Sequence, residues 1–214
     1  MKVFSFLSVS MIEWFALITL GFTTFKLEIR GYRGQLIFTS FLLSLFSYIA
    51  IVVLQMKIYS TFLQPPIVFL FLWQMFRIPA FYAGVVTTSG YLTYTVLQSF
   101  IFFFFQKFGA IIEPETSITY LGQITTAALA LLGSWIIYKK RMGYTFIPYG
   151  ERLIIKFSGI NLKLLLFTVL GYLMMLGFNY LLYSDFTLIL LCILTLALLL
   201  LQFWVIRKEY SNDR

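Results

Sequence analysis

Seven times along the chain a run of about 20 mostly apolar residues appears, and nearly all the basic side chains sit between the runs. Coiled as an α-helix at about 1.5 Å per residue, such a run spans the roughly 30 Å hydrocarbon core of a bilayer. The runs cover residues 3–25, 35–55, 59–76, 80–106, 117–138, 162–183 and 185–206. The chain is 61% hydrophobic and 11% charged, against roughly 25% charged in an ordinary soluble domain. A water-soluble fold has no interior for that much apolar surface. The expected fold class is all-α: a polytopic transmembrane helical bundle of about seven helices. Residues 1–206 form the membrane domain, and 207–214 are expected as a cytoplasmic tail too short to fold alone. The first run is read as a retained helix rather than a cleaved leader. It is too long for a leader, it contains Glu13, and no small-x-small cleavage site follows it.

The third run contains Pro65-Pro66. From Pro65 to Phe76 it is too short to cross a bilayer, so it either begins before the prolines with a kink or is re-entrant. Charge decides between these. With the N-terminus outside and seven crossings, the inside segments hold Lys26, Arg30, Arg33, Arg77, Lys139, Lys140, Arg141, Arg152, Lys156, Lys163, Arg207, Lys208 and Arg214. The outside segments hold Lys2, Lys57 and Lys107. Basic residues favour the cytoplasmic side, so this asymmetry predicts seven crossings, N-out and C-in.

The net charge of +8 has the same origin. The basic residues lie in the gaps, as cytoplasmic loops facing anionic headgroups do, and no separate basic face exists for nucleic acid. Membrane lipid is the expected partner and nucleic acid is not.

Histidine is absent, which removes Ser-His and Cys-His nucleophiles and imidazole-ligated metals. Cys192 has no partner for an internal disulfide and is expected as a small buried apolar residue. Glu13 has no second embedded acid for paired-carboxylate or metal-assisted hydrolysis. No catalytic residue, metal site or cofactor is expected, and the chain does not read as an enzyme.

Glu13 is the one carboxylate well inside an apolar run, and a charge there is costly enough to suggest a role. It pairs with a cationic ligand group, stabilises a packed helix interface, lies near the outer interface, or serves as a protonated or hydrogen-bonded structural group. Gln64, Gln98 and Asn179 are further candidates for ligand contact. The plainer reading of these amides, with Gln55, Gln74 and Gln202, is glue between helices at about 1 kcal/mol each. Thr87-Thr88-Ser89-Gly90, Thr93 and Thr95 make a small polar face on the fourth helix, suited to close helix approach. Gly171 and Gly177 read as packing positions. Arg77 before Ile78-Pro79 reads as a positively charged turn.

Several local stretches carry a family likeness: Met11-Ile12-Glu13-Trp14-Phe15-Ala16, then Leu20-Gly21-Phe22; Ser47-Tyr48; Phe76-Arg77-Ile78-Pro79; Gly143-Tyr144-Thr145-Phe146-Ile147-Pro148 with Glu151-Arg152 and Asn161-Leu162; and Ile206-Arg207-Lys208-Glu209. In these the chain resembles the membrane sensor half of peptide-sensing histidine kinases of Gram-positive bacteria, the accessory-gene-regulator type. It departs from them at Phe62-Leu63-Gln64-Pro65-Pro66, where such sensors often carry Pro-Phe-Gly and a histidine. The phosphoacceptor helix and ATP-binding domain are not in this sequence, so it is not a kinase by itself: a free-standing sensor, a remnant or a truncated piece is expected. The family's membrane peptidase, which uses a His-Cys pair, is excluded by the absence of histidine.

The resemblance implies a multi-pass protein of a bacterial cell membrane that binds a secreted peptide or small hydrophobic signal outside. It implies a cytoplasmic kinase or a homodimer as partner. Glu13 and the outer ends of the third and fourth helices are the expected contacts. The alternatives are a small transport component, a peptide self-immunity protein, or an assembly role without a ligand.

Overall fold

Residues 80–107 form the helix around which the others pack, and its composition explains its place. The computed structural model describes residues 2–110, 112, 116–148, 159–175 and 187–212. Among these the chain forms seven α-helices and no strand: α1 Lys2–Thr24, α2 Arg33–Tyr48, α3 Lys57–Gln74, α4 Ala80–Lys107, α5 Ser117–Lys139, α6 Ile160–Met175 and α7 Thr187–Asn212. α4 touches α1, α3, α5, α6 and α7.

Four helical stretches are long and apolar enough to cross a membrane: Val3–Thr24, Arg30–Val53, Ser117–Lys139 and Leu188–Ser211. They make the chain a membrane protein by length and composition. α4, at 28 residues, is long enough too. It is less apolar because it faces protein rather than lipid. Thr87, Thr88, Ser89, Thr95, Gln98 and Ser99 are all buried on it. Thr95 is satisfied within the helix by the carbonyls of Tyr91 at 2.9 Å and Leu92 at 3.1 Å, whereas the Thr87 and Ser99 hydroxyls are buried without a hydrogen bond. The polar face predicted there therefore packs. A Cβ built on Gly90 would lie 3.3 Å from the Cα of Gly21, so the backbones of α1 and α4 cross in close contact. Gly171 likewise meets Leu92 and Thr88; Gly177 lies outside the described residues.

α3 begins before the proline pair, eight residues ahead of Pro65. Pro66 has no N–H to offer the carbonyl four residues back, Phe62. That oxygen accepts a hydrogen bond from the Tyr172 hydroxyl of α6 at 2.8 Å. A side chain of another helix thus supplies the donor that proline lacks, which is what lets a helix keep proline in apolar surroundings. Ahead of α3, α2 is prolonged by one π-type turn, Ile49–Val53, with Leu54 N–H reaching the Ile49 carbonyl at 2.8 Å.

The C-terminal ends of α1, α3, α5 and α7 gather with the N-terminal ends of α2, α4 and α6. Phe76 after α3 lies 4.9 Å from Phe22 of α1 and 5.6 Å from Tyr32 before α2, centroid to centroid. Phe146, in the loop after α5, lies 5.9 Å from Tyr82 at the start of α4. Lys163, in the first turn of α6, sits 4.7 Å from the Trp204 ring of α7. Helices adjacent in sequence therefore run antiparallel. This end carries Lys26, Arg30, Arg33, Arg77, Lys139, Lys140, Arg141, Lys163, Arg207 and Lys208.

Some of these cations close helices. Lys26 and Arg141 adopt left-handed conformations, φ 47° and 54°, where glycine is usual. At each, two backbone bonds complete the terminus: Leu27 N–H to Phe22 at 2.9 Å and Lys26 N–H to Thr23 at 3.3 Å; Met142 N–H to Ile137 at 3.0 Å and Arg141 N–H to Tyr138 at 3.1 Å. Arg77, φ 54°, follows α3 in the same conformation, as a turn residue. A cation at a helix C-terminus also faces the negative end of the helix dipole.

Two expectations change. α7 continues past residue 206, through the stretch read as a tail, to Asn212. Cys192 is exposed rather than buried. α7 buries the stripe Leu190, Leu194, Ala197, Leu201 and Val205, and a residue two positions after Leu190 turns about 200° away from that stripe. Since α7 is apolar on every face, hydrophobicity did not reveal which face is inside.

Candidate functional site

Glu13 stands at the midpoint of α1, with eleven helical residues on either side. Its neighbours come from α4. Tyr91, Tyr94 and Gln98 follow one another at intervals of three and four, which puts them on one helix face. All three are buried. Tyr94 donates its hydroxyl to Glu13 Oε1 at 3.4 Å, and Gln98 Nε2 donates to the same oxygen at 3.3 Å. Both bonds are long for a carboxylate, where charge assistance shortens N–H···O contacts to about 2.7–2.9 Å. Tyr91 is within electrostatic reach of Glu13.

A second set of bonds adjoins this one. Ser47 of α2 accepts from Trp14 Nε1 of α1 and from Gln64 Nε2 of α3, each at 3.2 Å. Gln64 Oε1 in turn accepts from the Tyr91 hydroxyl at 2.9 Å. The Trp14 and Tyr91 rings lie 6.0 Å apart at 59°. Glu13 and Trp14 are consecutive on α1, and Tyr91 and Tyr94 are one turn apart on α4, so a polar layer ties α1, α2, α3 and α4 together.

Three of the four residues expected to contact a ligand thus converge. Glu13 and Gln98 bond directly, and Gln64 joins them through Tyr91. Asn179 lies outside the described residues. Trp14, Ser47, Tyr91 and Tyr94 were not singled out as contacts from the sequence, although the spacing of Tyr91, Tyr94 and Gln98 was there to be read. The other amides divide: Gln202 bonds Tyr144 and Ser89 and acts as glue, while Gln55 ends the turn after α2 at φ 54°.

The end with the cations has its own cluster. The loop after α5 turns at Gly143, φ 119°, where a Cβ would lie 2.7 Å from the Thr24 carbonyl. This lets Tyr144 N–H bond that carbonyl at 2.8 Å. The Tyr144 hydroxyl donates to Gln202 Oε1 at 3.0 Å, and Gln202 Nε2 donates to Ser89 at 2.8 Å. Burial, and then the Glu209 charge, push the Tyr144 phenol above its usual range, so it stays a neutral donor at physiological pH. Glu209, near the end of α7, accepts from Thr145 N–H at 2.8 Å, from its hydroxyl at 2.6 Å, and from Phe146 N–H at 3.1 Å. The end of α7 is thereby fastened to the loop, and through Thr24 to α1.

Glu13 thus sits in a layer with phenols, an indole and amides. Among the described residues no group of three or more His, Cys, Asp or Glu comes together as for a metal ion. No protein-family model matches the chain, nor does any curated protein or solved structure.

Proposed function

We propose that the chain is a multi-pass sensor of a bacterial cell membrane. In this reading all seven helices cross, with the N-terminus outside and the basic end in the cytoplasm. The layer around Glu13 receives a secreted peptide or small hydrophobic signal from the outer side. α7 passes the change to a cytoplasmic partner, a kinase or a second copy of the chain.

One observation carries the reading: the single embedded carboxylate is held by Tyr94 and Gln98 in a layer shared by four helices. A ligand that draws on Glu13 competes with bonds that position α1 against α4. α1 runs on to Thr24, about 16 Å further, where the loop clamps Glu209. The two ends of the path are therefore linked by one rigid helix. For the crossings, ten described basic side chains lie at one end, and antiparallel neighbours give α4 its own passage.

The test is coupling across that path. Spin labels on Met142→Cys and Tyr210→Cys, in a Cys192→Ala background, report the separation of the loop from the end of α7. A sensor predicts that Glu13→Gln shifts this distance distribution although the substitution lies half of α1, about 16 Å, away from Thr24. An unchanged distribution rejects the proposal.

A transport component is the second reading, favoured by the π-type turn and proline pair that interrupt the helical register between α2 and the middle of α3. Counterflow in proteoliposomes separates the two, since a sensor does not carry its ligand across.

A further inference from the structure

We infer that the layer around Glu13 recognises an organic cation, a protonated amine or quaternary ammonium on an apolar body. This rests on reading that layer as the signal site and names the chemistry it selects.

Three polar hydrogens of the aromatic side chains here are already committed: Tyr94 to Glu13, Tyr91 to Gln64, and Trp14 to Ser47. Each amide commits one of its two hydrogens, that of Gln64 to Ser47 and that of Gln98 to Glu13. The layer keeps acceptor capacity in the lone pairs of the phenols and the carboxylate.

The carboxylate itself lacks a partner of opposite sign. Its two bonds fall on one oxygen, Oε1, and are long. Among the described residues no lysine or arginine contacts it. Charged groups at bilayer depth ordinarily pair, and here the pairing position is open to a ligand. The surroundings fit an organic cation rather than a metal ion. Hard metal ions take several oxygen ligands, and among the described residues Glu13 is joined by no group of acids that could hold one. Aromatic rings attract ammonium groups through their negative faces, and Trp14, Tyr91 and Tyr94 supply three in this layer. The α4 residues that hold Glu13 are buried.

The test uses a charged probe and its uncharged twin. Tritiated benzyltrimethylammonium is bound to the purified full chain in a maltoside detergent, with neopentylbenzene, the same shape with carbon in place of nitrogen, as competitor. We expect saturable binding, competition by the neutral twin at least about tenfold weaker than by unlabelled cation, and a similar loss of affinity in Glu13→Gln. Glu13→Asp keeps the charge and should retain part of the binding. The comparison of cation with twin uses the unaltered protein, so it stands even where a variant folds poorly. If twin and cation compete equally and Glu13→Gln binds as before, the charge inference is overturned while a ligand site remains. If the cation does not bind at all, the inference is overturned, and the spin-label distances decide the sensor reading alone.

Discussion

Tyr172 of α6 donates its hydroxyl to the carbonyl of Phe62, the oxygen that Pro66 leaves without a helical donor. This makes a sharp prediction. Tyr172→Phe should lower the thermal midpoint in detergent, at a cost of about 1–3 kcal/mol, because an unpaired carbonyl remains. Pro66→Ala restores the missing N–H. In that background Tyr172→Phe should cost much less. Equal costs in both backgrounds would mean that the phenol does not compensate for the proline.

The close crossing of α1 and α4 predicts opposite effects of adding side chains to two glycines. Gly90→Val places new atoms against Gly21, whose Cα is already 3.3 Å from the Cβ position, and should destabilise by about 1–3 kcal/mol. Gly133→Ala on α5 meets nothing within 4 Å and should be neutral or slightly stabilising. Melting followed by size-exclusion chromatography checks both.

The Tyr144 hydroxyl donates to Gln202 at 3.0 Å, and its pKa is raised by burial and by Glu209. A raised folded pKa favours the protonated phenol. The stability it contributes is present below about pH 10 and is lost as pH rises through the folded value. The midpoint of the native chain should therefore fall more steeply above pH 10 than that of Tyr144→Phe. Parallel pH profiles would remove Tyr144 from the clamp.

Cys192 is the single cysteine and faces outward from α7, five residues into the helix. In native membranes it should react with pyrene maleimide, which dissolves in lipid, and resist a charged methanethiosulfonate until detergent is added. Equal reaction with both reagents before detergent would place that face of α7 in water.

Much of the helix layout was legible because lipid imposes a simple rule: a span needs a long apolar run. The runs at 3–25, 80–106 and 117–138 match α1, α4 and α5 to within about a residue. The buried face of α7 was not legible, since a helix apolar all round gives no clue to its inner side, and Cys192 was misplaced for that reason. The site was half legible. An embedded acid is conspicuous by its cost, and Gln64 and Gln98 stand out as amides in apolar helices. Trp14, Tyr91 and Tyr94 do not, because aromatic residues are abundant throughout this chain. The bond between Thr145 and Glu209 spans 64 positions, and no local pattern announces it.

The account depends above all on the basic end lying inside and the opposite end outside. Single cysteines at Gln55, Phe108, Lys26 and Met142, in a Cys192→Ala background, can be probed in intact cells with an impermeant maleimide. The account predicts that Gln55→Cys and Phe108→Cys are labelled at once, and that Lys26→Cys and Met142→Cys are labelled only after the membrane is opened. Labelling of all four from outside, or of the Lys26 and Met142 pair first, would contradict it.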